Sequence, residues 1–141
     1  VEEVTANSMI VISLKQEYPG HAKQAAMIAA GTQAAARYLH YIVVVDDDID
    51  PSNISQVLWA VGTRADPQES IHVMKGQVSA FLDPLISPEK RKRGDSTASL
   101  AVILACKPYH WKDQFPEAIA LSPELAREIR TKWSKLFSSL T

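Results

Sequence analysis

The sequence is poor in cysteine, in net charge and in long apolar runs, and each shortage excludes a class of protein. A single cysteine, Cys106, excludes an internal disulfide and fits a reducing compartment such as the cytoplasm. The 15 basic and 16 acidic residues leave a net charge of −1, which creates no field to attract nucleic acid or an anionic membrane. No apolar run approaches the ~18 residues that a membrane span requires. We therefore expect a soluble, cytoplasmic protein that binds neither nucleic acid nor membrane.

What is present is enough for one globular domain. A chain of 141 residues, 46% of them hydrophobic, can bury a core without disulfides or metals. It opens on the acidic stretch Val1–Val4, without an initiator methionine and without the basic and apolar regions of a signal peptide. Processing and excision from a longer chain would both explain this start, and composition does not choose between them.

The first half of the chain predicts a strand, a helix and a second strand. Ser8–Leu14 and Tyr41–Val45 are short and apolar, as buried strands are. Between them, a turn at Pro19–Gly20 leads into an alanine-rich helix over His21–Arg37. The strand–helix–strand order implies a right-handed crossover and a parallel pair of strands.

The middle of the chain predicts a helix, a strand and a long loop. Asp50 is the expected N-cap and Pro51 the first helical residue. The apolar stripe of this helix is expected at Ile54, Val57, Leu58 and Val61. Ile71–Met74 predicts a third strand, and Gly76–Gly94 predicts an exposed loop, more often functional than filler at that length.

The last part contains one ambiguous segment and one clear helix. Ser99–Cys106 is apolar and fits either a strand or a short helix. Ser122–Pro123 begins an amphipathic helix with its stripe at Leu125, Ile129, Trp133, Leu136 and Leu140. The expected class is α/β: a single domain with a small, largely parallel sheet flanked by helices, plus a C-terminal amphipathic helix.

An acidic run is the first candidate for chemistry. Asp46–Asp48 directly follows the strand Tyr41–Val45, where ligands of open α/β sheets bind, and adjacent carboxylates there could hold magnesium in a phosphate enzyme. The structural alternative, which we favour, is that one aspartate caps a helix and the others face water.

The remaining reactive side chains do not combine into an active site. The four histidines, His21, His40, His72 and His110, show no zinc-site spacing, and Cys106 has no CxxC partner, which favours an inert buried thiol. The basic run Lys90–Arg93 could contact phosphate, but a solvated loop is the better interpretation. No GxSxG elbow of a serine hydrolase occurs.

Three stretches together resemble a known family. Lys15–Gln24 is similar to the Gly-His-Ala-Lys segment of UbiD-type decarboxylases. Tyr41–Pro51, leading into Val57–Pro67, resembles the family's VVVDDDIDP, VLWA and TRxDP block nearly letter for letter. Leu82–Pro84, with Ala105–Pro108 downstream, resembles the Leu-Asp-Pro loop and the segment that follows it. The resemblance extends from roughly residue 8 to residue 137.

The resemblance implies an activity that composition could not indicate. The family decarboxylates aromatic and α,β-unsaturated carboxylic acids, often reversibly, with prenylated FMN bound through a divalent metal and potassium. Its acid–base residues and metal ligands belong to a split-barrel domain N-terminal to this one, and we expect both that domain and the family's N-terminal domain to be absent from this chain. The resemblance therefore implies that residues 1–141 form a C-terminal domain with no catalytic residue and no metal ligand of its own, inactive in isolation, whose first partner is the rest of the same polypeptide. The alternative is a non-catalytic assembly or binding subunit of a multi-component carboxylase.

The resemblance also implies two site contributions. The loop Phe81, Leu82, Asp83 and Pro84 would line the substrate pocket, with Leu82 packing on the substrate ring; the alternative makes Leu82 a core anchor of the loop. Arg37 is the candidate for a flavin-phosphate contact, although Ala34 occupies the most directly aligned position.

Two further expectations come from the same comparison. Arg64 and Asp66 are expected to form a structural pair at a helix end. Leu100 and Leu104 stand where many relatives carry a lysine and an aspartate, so the polar contact of that pair is expected to be absent.

The final helix is expected to form subunit contacts. Its apolar stripe includes Trp133 and Phe137, and in the family this helix takes part in oligomerisation. We expect a homo-oligomer through this helix; the alternative is packing on the domain's own sheet.

Overall fold

Four strands form one sheet in the order β1-β2-β4-β3. The computed structural model describes residues 8–32, 38–119 and 122–133. The strands are β1 (Met9–Leu14), β2 (Tyr41–Asp46), β3 (Ile71–Val78) and β4 (Thr97–Ala105). β2 pairs in parallel with β1 and with β4, whereas β3 pairs antiparallel with β4 at the edge. The predicted α/β class and the predicted parallel pair are confirmed, and Ser99–Cys106 is strand in all but its last residue.

The described ranges also contain five α-helices. They are α1 (His21–Ala30), α2 (Ile54–Arg64), α3 (Pro67–Ser70), α4 (Pro88–Lys92) and α5 (Pro123–Lys132), with a 3-10 segment at Tyr109–Gln114. None of the helices in these ranges has the length and apolar character to cross a membrane.

Each face of the sheet has its own apolar core. Along β2, Ile42 and Val44 pack with α1, while Val43 and Val45 pack with α2, because successive strand side chains point to opposite faces. Burial on both faces explains why β2 is almost continuously apolar.

α2 begins later and faces differently than predicted. Asn53, not Asp50, caps it by accepting a hydrogen bond from Gln56 N at 3.2 Å. Asp50 instead accepts from Ser52 N at 2.9 Å and so closes a turn before the helix. The stripe prediction was wrong for Ile54 and Leu58, which are exposed; the buried residues of α2 are Val57, Ala60 and Arg64.

Three other boundaries differ from the predictions. α1 ends at Ala30, where Gly31 N donates to Met27 O at 3.0 Å, so the helix is shorter than predicted; residues 33–37 lie outside the described ranges. β3 continues to Val78, and α4 occupies part of the predicted loop. Ser122 caps α5 as predicted, by accepting from Leu125 N at 3.2 Å, while Leu136, Phe137 and Leu140 lie outside the described residues.

Candidate functional site

A loop braced by one buried carboxylate follows β3. Asp83 is completely inaccessible to solvent. Its Oδ2 accepts a hydrogen bond from Ser79 Oγ at 2.5 Å, and its Oδ1 accepts from Leu85 N at 2.9 Å. Both contacts lie within the loop, so the carboxylate fixes the local turn.

The same aspartate ties the loop to the sheet. His40 Nε2 lies 3.1 Å from Asp83 Oδ2, and His40 directly precedes β2. Arg91 of α4 donates to Asp83 O at 2.8 Å, which anchors the loop from its other side. Burial raises the pKa of Asp83, but hydrogen bonds from Ser79 and Leu85 N, with His40 beside them, outweigh it and hold that pKa below its usual value.

This bracing turns apolar side chains outward. Leu82 is 80% exposed, and Phe81 and Leu85 are also exposed, whereas Ile86 is buried beneath the loop. The alternative that Leu82 anchors the core is therefore wrong. Phe81, Leu82 and Pro84 are exposed, and their predicted role as pocket lining stays a prediction. Asp83 was also predicted to line the pocket, but its carboxylate is buried and supports the loop instead. A buried carboxylate is unfavourable without hydrogen-bond partners, and Ser79, Leu85 N and His40 supply them.

A cavity of about 620 Å³ lies beside the loop. It opens on the sheet face that carries α2. Tyr41 on β2, and Ser99 and Ala101 on β4, are an even number of residues from members of the α2 core on the same strands, so their side chains share that face. Its lining is His40, Tyr41, Val73, Lys75, Gly76, Leu85, Lys90, Thr97, Ala98, Ser99 and Ala101. The cavity therefore joins the amino ends of β2 and β4 to the Asp83 loop.

An ion-pair network occupies the opposite, carboxyl end of the parallel strands. Arg64 binds Asp48 with two nitrogens, at 2.7 and 2.8 Å, and Asp46 Oδ2 at 3.1 Å. Lys107 donates to Asp48 Oδ2 from Nζ at 2.9 Å and to Asp46 Oδ2 from its backbone N at 2.7 Å. Gln16 completes the network by donating to Asp46 Oδ1 at 2.7 Å. We call these five residues the Arg64 network.

Charge pairing sets the pKa values in the Arg64 network. Hydrogen bonds from Arg64, opposed by burial and aided by Lys107, lower the pKa of Asp48 to about 2. The Asp48 hydrogen bonds likewise raise the pKa of Arg64 above its usual value. The side chain of Arg64 also lies over the Trp59 ring, 5.1 Å from its centroid, in a cation–π contact.

Two predictions about these residues are corrected. Asp46 and Asp48 neither cap a helix nor simply face water, because they neutralise Arg64 and Lys107. Within the described ranges, no group of three or more histidine, cysteine, aspartate or glutamate side chains is arranged to hold a metal, so nothing there supports the magnesium alternative. Arg64 does not pair with Asp66, whose side chain caps α3 by accepting from Gln68 N at 2.9 Å.

The other candidate residues from the sequence are Cys106, Arg37 and Ala34. Cys106 is buried as predicted; burial raises the pKa of its thiol, as expected of an inert side chain. Arg37 and Ala34 lie outside the described residues. Sequence reasoning missed His40, Lys107 and Gln16 as partners. For His40 the sequence did contain a signal: it is a polar residue directly before the apolar strand β2, a position where its side chain could be held by a partner.

The fold and these contacts define an α/β domain whose carboxyl-end charges are paired internally and whose braced, apolar loop faces outward. The family model of the 3-octaprenyl-4-hydroxybenzoate carboxy-lyase C-terminal domain matches residues 1–105. The chain therefore belongs to the UbiD family, as a C-terminal domain, and the resemblance inferred from its motifs is confirmed.

Relatives and solved structures agree with that membership. A protein from Aeropyrum pernix is 33% identical over 130 residues, which cover 90% of this chain and 25% of the relative. The UbiD-class enzyme HmfF from Pelotomaculum thermopropionicum in complex with FMN superimposes with a TM-score of 0.68 and 27% identity, covering 83% of this chain and 24% of that one.

A third comparison involves an enzyme solved in two forms. The closed form of vanillic acid decarboxylase from Sedimentibacter hydroxybenzoicus gives a TM-score of 0.65 and 28% identity, covering 92% of this chain and 25% of that one. The open form of the same enzyme gives a TM-score of 0.66. The chain spans about a quarter of the length of each of these proteins.

Proposed function

We propose that this domain covers the active site of a prenylated-FMN-dependent decarboxylase that acts on an aromatic or α,β-unsaturated carboxylic acid. The observation that carries the proposal is the exposed Leu82, held outward on a loop whose Asp83 is completely buried. A loop braced in this way presents an apolar side chain at low entropic cost. Two solved relatives support this proposal. HmfF was solved with bound FMN, which supports a flavin cofactor, and vanillic acid decarboxylase was solved in open and closed forms, which supports a cover that closes over the active site.

The proposed role of the cover in the decarboxylation is to exclude water from the active site. Prenylated FMN supplies the electron sink for loss of carbon dioxide when it is bound. An apolar loop that closes over the substrate removes water from the site, and this strengthens the polar contacts made by the rest of the enzyme. Phe81, Leu82 and Leu85 provide that apolar surface in this chain.

The proposal leaves the metal and potassium to the rest of the polypeptide. The described residues contain no group of three or more side chains suited to a metal, so no step of the proposed function is assigned to a metal on this chain. Arg37 stays a predicted contact of the flavin phosphate.

Subunit contact through α5 is the second part of the proposal. Leu125 of α5 and Trp133, which directly follows α5, are about half-exposed, which leaves apolar surface for a second copy of the protein. Trp133→Ala in the parent polypeptide should shift it toward the monomer in analytical ultracentrifugation. An unchanged oligomeric state would remove α5 from the interface.

The first test uses the parent polypeptide that contains this chain, produced together with a flavin prenyltransferase. We expect a bound-flavin absorbance spectrum and release of carbon dioxide from at least one acid in an aromatic panel. A folded parent with neither flavin nor release would contradict the enzyme assignment and favour a non-catalytic assembly subunit.

A second test isolates the loop. Leu82→Ala in the parent should lower kcat while the flavin spectrum is unchanged, because the loop would close less tightly against water. Leu58→Ala is the matched control, since Leu58 is an exposed leucine on α2. Equal turnover in both variants and in the unmodified parent would contradict the cover role.

A further inference from the structure

β3 bulges where it lines the cavity beside the Asp83 loop. Met74 pairs with Leu100 and Gln77 pairs with Ala98, so Lys75 and Gly76 together oppose the single residue Ser99. Gly76 has φ of 73°, a left-handed conformation that side chains other than glycine rarely adopt. Lys75, Gly76 and Ser99 all line the cavity, whose volume of about 620 Å³ is within the ~300–1,000 Å³ range of small-molecule sites.

The lining combines an apolar wall with unused hydrogen-bond donors. Tyr41, Val73, Leu85 and Ala101 supply the apolar wall. Lys75 has no hydrogen-bond or ion-pair partner within the described ranges, and the Ser99 hydroxyl has none there either. These groups are therefore available to a ligand.

The other two basic groups of the lining are partly balanced. Lys90 Nζ donates to Thr97 O at 2.6 Å and Thr97 Oγ1 at 3.2 Å, which leaves one N–H, and Asp95 Oδ2 lies 3.9 Å away. His40 faces Asp83. Among the described residues that line the cavity, none is acidic. The net potential of the lining is thus positive, and it is concentrated at Lys75.

We propose that this cavity is a binding site for an aromatic carboxylate. The ring would lie on Tyr41, Val73 and Leu85, and the carboxylate would accept hydrogen bonds from Lys75 and from the remaining N–H of Lys90. Leu85 belongs both to this lining and to the loop that presents Leu82. The inference rests on the proposed function, because it makes the cavity a place where substrate or product is held beside the cover.

The direct test is a chemical-shift titration of the ¹⁵N-labelled chain with sodium benzoate. We expect saturable shifts at the amides of Gly76, Ala98 and Ser99. Benzyl alcohol, which has the ring without the charge, and acetate, which has the charge without the ring, should bind more weakly. Acetate or inorganic phosphate binding as tightly as benzoate would overturn the aromatic class of ligand.

Two lysine variants make the test specific. Lys75→Met should weaken benzoate binding by about 3- to 5-fold, the size of one solvent-exposed ion pair, and Lys75→Arg should restore it. Lys23→Met is the control, because Lys23 is an exposed lysine of α1 on the other side of the sheet. Equal losses in Lys75→Met and Lys23→Met would show a general charge effect and overturn the site.

Failure of this inference can be told apart from failure of the proposed function. Benzoate binding needs neither flavin nor turnover, so a chain that binds benzoate while its parent releases no carbon dioxide keeps the site and loses the function. An active parent should show a raised KM for its acid in Lys75→Met, by about 3-fold, with kcat unchanged. An active parent with unchanged KM, together with no saturable shifts in the titration, would overturn the site and leave the function standing.

Discussion

The two ends of the parallel strands contrast in how their polar groups are used. At the carboxyl end, Arg64 and Lys107 are paired with Asp46 and Asp48. At the amino end, Lys75, which has no partner among the residues that the structure describes, lies in an open cavity beside an exposed apolar loop. One end is closed by internal charge pairs and the other is open.

This arrangement reverses the usual location of ligands in open α/β sheets. Such ligands commonly bind outside the carboxyl ends of the strands. Here that end is neutralised internally, and the antiparallel edge strand β3 delivers its following loop to the opposite end. The position of a free site in this domain is thus set by the strand that breaks the parallel pattern. Breaking each end in turn tests this contrast.

The largest effect is expected at the closed end. Arg64→Met should lower the free energy of unfolding by about 3 kcal/mol, because it leaves Asp46 and Asp48 without their main cation. The side chain of Arg64 is only 3% exposed and that of Asp46 10%, so water does not readily replace the contact between these two residues. Urea denaturation followed by circular dichroism measures the change.

Lys107→Met is the comparison within the same network. The Lys107 side chain is 32% exposed and contacts the more accessible Asp48, so its loss should lower stability by about 1 kcal/mol or less. Equal losses for the two variants would mean that burial does not determine the contribution of these pairs.

The next effect concerns the loop at the open end. Asp83→Ala should cost about 2 kcal/mol, because Ser79, Leu85 N and His40 all lose a buried charged acceptor. Hydrogen exchange at residues 79–86 should accelerate more than in the sheet. Asp95→Ala is the control: Asp95 accepts similar bonds, from Thr97 N and Oγ1, but in a less buried turn. A loop whose exchange is unchanged in Asp83→Ala would refute the bracing role.

Local patterns predicted the strands well and the partners of charged residues poorly. The apolar runs of β1 and β2 identified strands, because burial of a central strand leaves few polar positions. The family pattern suggested Asp66 as the partner of Arg64, but Asp46 at the end of β2 and Asp48 just after it bind Arg64 instead. The loop Phe81–Pro84 was located by its family motif. The contact between His40 and the loop was not predicted. It depends on the order of the strands in the sheet, which brings the loop after β3 close to the start of β2.

A smaller effect tests the bulge that lines the cavity. Gly76→Ala should destabilise the protein by about 1 kcal/mol, since φ is 73° and an added Cβ would meet no atom within 4 Å, so the cost comes from the backbone alone. Gly62→Ala is the matched control, because Gly62 also has open space but lies inside α2. It should raise stability by up to about 1 kcal/mol. Thermal unfolding distinguishes the two, and the same sign for both would contradict the left-handed conformation at Gly76.

The smallest expected effect is the pH dependence of the closed end. The pKa of Asp48 is about 2 in the folded chain, below its ordinary 3.8, so folding favours the charged form. The resulting stabilisation is fully present above the ordinary pKa and is lost as the pH falls from about 4 towards 2. Because the side chain of Asp48 is 44% exposed, solvent screening limits this contribution to about 1 kcal/mol or less. Urea unfolding at a series of pH values should show a shallower acid decline in Asp48→Asn than in the unmodified chain. Identical declines would mean that Arg64 binds the neutral amide as strongly as the carboxylate. The Arg64–Asp48 contact would then stabilise the fold through its hydrogen-bond geometry and not through charge.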